Sequence, residues 1–162
     1  MARYLATGCG LYEVSVGMSE TARKLLLGIF LLGAGGIATE LWLLGHYEEL
    51  DQFIPLGLAA LGVIAIAAAA WNPSPITVRS VQAAMLLMII SGFLGVWFHY
   101  RATTEFQLEM DASLRGWALF RKAIVAKAPP ALAPGAMIQL GLIGLAYTFK
   151  HPALRGLAPS GD

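Results

Sequence analysis

Four runs in this chain are long, apolar and almost free of charge: Leu25–Leu44, Phe53–Trp71, Val81–Tyr100 and Ala131–Phe149. The sequence holds 11 Lys and Arg and 10 Asp and Glu, yet only Glu40 among them falls inside a run. About 20 apolar residues are needed to cross the hydrocarbon core of a bilayer. Segments of this length and composition cannot be kept in water without burying them somewhere, so each reads as a transmembrane helix. The expected fold is therefore an all-α integral membrane protein, with four transmembrane helices in a compact bundle. Charged residues make up 13% of the chain, about half the fraction of a soluble domain, which agrees with that class.

The punctuation between runs supports the partition. Asn72-Pro73-Ser74-Pro75 cannot continue a helix and marks a tight turn. Pro55 and Pro134 stand where the second and fourth helices begin, the position at which a missing N–H costs nothing. Trp42, Trp71, Trp97, Tyr100 and Tyr147 lie near the ends of spans, as interfacial aromatic residues do. Residues 1–18 and 156–162 show no helical period and are expected to be flexible tails around a single membrane domain, 19–155. Arg23 and Lys24 precede the first span, and Glu48, Glu49 and Asp51 follow it without Lys or Arg. Positive flanks stay on the cytoplasmic side. This predicts a multi-pass protein with both termini in the cytoplasm, in a bacterial inner membrane.

The loop between the third and fourth spans, 102–130, carries two patterns. Glu105 to Asp111 alternates acidic or polar with apolar residues, which predicts an extended segment. Residues 112–127 place Leu114, Trp117, Phe120 and Ile124 on one arc, with Arg115, Lys122 and Lys127 opposite. A basic amphipathic helix with a central Trp is expected to lie in the membrane interface.

Small residues should hold the spans together, because lipid supplies no hydrophobic drive between helices. Gly33, Gly35 and Gly36 on the first span, Ser91 and Gly95 on the third, and Gly141 and Gly144 on the fourth are the expected packing positions. The string Gly33 to Ala38 fits a G-x-G-x-x-A pattern, but it lies inside an apolar run with no strand before it, so it is not a nucleotide loop. Two parallel hairpins are hinted at: His46-Tyr47 and His99-Tyr100 each precede a proline-initiated helix.

Glu40 is the candidate functional group, since an ionisable side chain inside a span is expensive. With the expected topology, Glu40, His46, His99, Arg101 and Gln139 share the outer membrane face, and His151 lies opposite. A structural pair of Glu40 with Arg101 or His99 is the plain expectation. A cation or haem held by His46 and His99 is the sharper alternative, though no ligand-spacing motif accompanies them, and no metal or cofactor is assigned. The single cysteine, Cys9, excludes an intrachain disulfide and a Cys-based zinc site. A net charge of +1, with basic residues scattered around helix ends, gives no footprint for nucleic acid. No nucleophile elbow or metalloprotease motif is present. A non-enzymatic accessory or assembly subunit is expected, with the lipid bilayer and other membrane chains, or a second copy, as partners. A small ligand- or ion-binding or transport protein using the outer cluster is the alternative.

Overall fold

A computed structural model of the chain describes residues 18–45, 48, 52–125 and 132–157, with side chains described as far as 154. The described residues are helical throughout their length apart from turns. Helix α1 spans Glu20–Leu43, α2 Phe53–Trp71, α3 Pro75–Met110, α4 Gly116–Ile124 and α5 Leu132–Thr148, followed by a 3-10 segment, Pro152–Leu157. Three of these, α1, α2 and α3, are long and apolar enough to cross a membrane; α5 is a shorter apolar helix of 17 residues.

Local chemistry sets the ends. Ser19 caps α1 by accepting from the Ala22 N–H at 3.2 Å, one of the donors a helix start leaves orphaned. Gly45, at φ 66°, follows the last turn of α1, and its N–H donates to the Trp42 carbonyl at 3.1 Å. That left-handed conformation is one that glycine adopts without steric cost. Ser74 and Thr77 form a reciprocal capping box, with Pro75 in the first turn of α3. The Asn72–Ser74 turn is thus as tight as its proline content implies.

Helix α3 departs from expectation. It starts six residues before Val81 and runs ten beyond Tyr100, so Glu105–Met110 is helix and not an extended segment. The period of two misleads here because Arg101, Glu105 and Glu109 also stand four apart. Arg101 Nε donates to Glu105 Oε1 at 3.1 Å along the helix face. No Gly or Pro interrupts residues 96–111, and each added residue gains a hydrogen bond once a helix exists. Its 36 residues make about 54 Å at 1.5 Å each. Asp111 ends it, accepting from the Ser113 N–H at 3.0 Å and the Ser113 hydroxyl at 2.6 Å. Helix α4 is shorter than the 112–127 expected, and residues 126 and 127 lie outside the described residues.

One core joins four helices. Phe30, Ala34, Ile37 and Leu41 of α1, Ala65, Ile66 and Ala69 of α2, Val81, Ala84, Met85 and Met88 of α3, and Met137 and Leu140 of α5 are buried against one another. Helix α5 lies between α1 and α3, α2 packs on α3, and α3 with α5 forms the most extensive contact. The end at which α1 begins, here the lower end, is also where α2 and α5 finish and α3 starts.

Candidate functional site

Of the residues singled out by sequence at the upper end, the structure describes four. His46 lies outside the described residues. Glu40, His99, Arg101 and Gln139 are all exposed. Arg101 is committed to Glu105 on its own helix, so the expected Glu40–Arg101 pair is not formed. The i,i+4 partner wins because α3 stays helical past Tyr100 and keeps Glu105 within reach. Among the described residues, Glu40 makes no ion pair and no three His, Cys, Asp or Glu side chains converge as metal ligands.

Glu40 instead lies in a shallow, open groove on the outward face of α1, which Leu32, Gly35, Gly36, Thr39 and Leu43 also line. A Cβ added to Gly35 or Gly36 would meet nothing within 4 Å. These two glycines therefore do not join α1 to its own neighbours, contrary to expectation. Gly33, Gly95, Gly141 and Gly144 do face other helices: a Cβ at Gly33 would lie 2.6 Å from Leu140 Cδ2, and one at Gly141 would lie 2.8 Å from the Met85 carbonyl oxygen. Ser91 is only partly buried. At Gly92, one position along from it, an added Cβ would lie 2.7 Å from the Pro134 carbonyl oxygen. Sequence reasoning passed over Gly92 because the small-xxx-small pair Ser91 and Gly95 matched a familiar spacing.

On α4, Trp117 and Ile124 are exposed, and Trp117 stacks on Phe120 with ring centroids 5.1 Å apart. The side facing α3 is built from the fully buried Ala123 and from Phe120, which reaches Tyr100 at 6.0 Å. Leu114 is partly buried beyond the helix start. Lys122 Nζ stands 4.0 Å from Asp111 Oδ2. Hydrogen bonds from Ser113, and then the charge of Lys122, hold the Asp111 carboxyl below its ordinary range.

The lower end carries the buried polar groups. Arg23, only 7% exposed, sits in the first turn of α1 and sends its guanidinium to the finish of α5. Nη1 donates to the Tyr147 carbonyl, and Nη2 donates to the Phe149 and Lys150 carbonyls at 2.9 and 3.2 Å. A helix finish leaves carbonyls unsatisfied and carries partial negative charge. Helix α5 has no basic residue in its own last turn, so a cation from α1 answers both needs. Lys150 turns the chain here in the left-handed region, at φ 47°. His151 is buried against Tyr147, with ring centroids 6.0 Å apart, and its Nδ1 accepts from the Ala153 N–H at 3.2 Å. Burial, and then repulsion from Arg23, push the His151 imidazole below its ordinary pKa, so it is held neutral. Sequence reasoning counted Arg23 only as a positive flank. Its partners lie more than a hundred residues away, and no local pattern names them.

No protein-family model, curated protein or solved structure matches the chain.

Proposed function

We propose that this is a four-span membrane protein with both termini in the cytoplasm, serving as a non-enzymatic accessory or assembly subunit of a larger membrane complex. The observation that carries the reading is the outward face of α1. A notch at Gly35 and Gly36 opens beside Glu40, whose carboxylate has no ion-pair partner among the described residues. On insertion scales an unpaired carboxylate costs about 2.5 to 3.5 kcal/mol near the middle of a bilayer, less toward its surface. A transmembrane helix of another protein, bringing a small-residue face to the notch and a cation or hydrogen-bond donor to Glu40, offsets that cost. The fourth span of this reading is α5, which shares the core of α1, α2 and α3. Helix α4, with Trp117 and Ile124 outward and Arg121 and Lys122 in its last turn, suits the membrane interface.

A photocrosslinking side chain placed at Gly36, and as control at the equally outward Leu86 of α3, tests this in native membranes. Position 36 should give one protein adduct of fixed mass that position 86 does not, and Glu40→Ala should reduce it several-fold. Labelling of lipid alone at both positions overturns the reading. An adduct at the mass of two copies of this chain replaces the larger complex with self-association.

A further inference from the structure

The lower end contains a cavity of about 520 Å³ between the start of α1 and the finishes of α2 and α5. We propose that it binds the phosphate of an anionic phospholipid headgroup. Arg23, Lys24 and His151 supply its polar wall, and Glu20 is the one carboxylate there among the described residues. Lys24 Nζ stands 3.5 Å from Glu20, with both side chains largely exposed at 73% and 79%. An exposed pair of that kind is worth little, so Lys24 can turn to a phosphate at small cost.

His151 is the independent indication of a ligand. The ring is 7% exposed, and Nδ1 already accepts the Ala153 N–H. A neutral imidazole accepting at one nitrogen carries its proton on the other, so Nε2 is a donor. That nitrogen makes no hydrogen bond among the described residues and is not sealed from solvent, and His151 lines the cavity. A donor held in place inside a basic recess is suited to an anionic oxygen. Arg23 commits three of its five N–H groups to carbonyls at the end of α5 and just beyond it, and adds its fixed positive charge without needing to move.

The rest of the wall distinguishes a lipid phosphodiester from free phosphate. Leu27 of α1 and Ala69 and Ala70 of α2 add an apolar part to the wall. Helices α1 and α2 pack together less extensively than the other adjacent pairs in the core, and the acyl chains are assigned to this side. The cavity also lies at the ends of membrane-length helices, the level at which headgroups are found and at which basic pockets between helices select anionic lipid.

The test uses the full chain purified in a neutral detergent, with lipid retention read by native mass spectrometry. One phosphatidylglycerol per chain should be retained in preference to phosphatidylcholine. Lys24→Gln, a change at an exposed side chain, should weaken retention about fivefold, as expected for one basic residue at a lipid surface. His151→Gln should weaken it further, and Glu20→Gln should strengthen it by removing the competing carboxylate. Lys122→Gln, on α4, should leave retention unchanged. Equal retention of both lipids, or indifference to Lys24→Gln, His151→Gln and Glu20→Gln alike, overturns the site. Complete displacement of phosphatidylglycerol by millimolar inorganic phosphate would make the occupant a free anion and overturn the lipid assignment.

Discussion

The two helical pairs of this protein, α1 with α2 and α3 with α5, are built from similar material and packed to different tightness. Each pair joins a longer helix to one that begins near a proline. In α3 and α5 most of the glycines, Gly135 excepted, are used in the contact, so that Gly92 lies against the Pro134 carbonyl and Gly141 against the Met85 carbonyl. In α1 the glycines at 28, 35 and 36 meet nothing, and the α1–α2 seam is the looser one. Both features left open, the upper groove and the lower cavity, border α1. The comparison teaches that glycine content alone does not locate a helix contact. What matters is whether a backbone carbonyl comes near enough to forbid a Cβ.

The difference should be largest when the same change is made on each side. Gly141→Leu forces a branched side chain against the Met85 backbone, which cannot rotate away, and should cost roughly 3 kcal/mol or more of stability, beyond ordinary overpacking. Gly36→Leu should leave the isolated protein unchanged within about 0.5 kcal/mol, as surface substitutions usually do. Unfolding in detergent measures both, and equal losses would erase the distinction between the pairs.

Arg23 is the strongest polar tie between the two pairs. Arg23→Ala strands three carbonyls at the end of α5 and should destabilise by roughly 2 to 4 kcal/mol, given about 1 to 3 kcal/mol for each unsatisfied buried group and partial rescue by water. Arg23→Lys should recover part of that, since one ammonium can satisfy fewer of the carbonyls. If Arg23→Ala unfolds like the wild type, the pairs are held by apolar packing alone.

A smaller effect concerns pH. The imidazole of His151 is acted on by Arg23 and Glu20 from α1 and packs on Tyr147 from α5, with Lys24 lining the same cavity. Its folded pKa is held below the ordinary 6.5, first by burial and then by Arg23, with Glu20 opposing slightly. Folding therefore disfavours the proton, so this contribution is complete above 6.5 and is lost as pH falls through the lower folded value. Stability of the wild type should decline from about pH 7 toward pH 5 more than that of His151→Phe, whose ring cannot charge. Parallel profiles would remove His151 from the acid response.

Much of the helical layout is legible in the sequence because charge-free length is a global signal: Phe53–Trp71 and the Asn72–Ser74 turn can be read almost to the residue. The end of α3 cannot, because seven residues alternating by two also satisfy a spacing of four, and only continuity with the preceding helix decides between them. The candidate polar residues fare worse. Glu40 is conspicuous by its charge, yet whether Arg101 turns toward it depends on Glu105, which comes within reach only if the helix continues. Arg23 looks like an ordinary flank. Its burial follows from two helix ends meeting at the same level, information carried by no window of residues.

The Arg23 latch also has a place in time. Its last partner, the Lys150 carbonyl, lies 127 residues further along the chain. At about 5 to 20 residues per second, a ribosome takes roughly 6 to 25 s to cover that distance. During that interval Arg23 has none of these carbonyl partners, and only afterwards does it become a fastening. The fastening between the first and last helices therefore closes only after synthesis has passed Lys150.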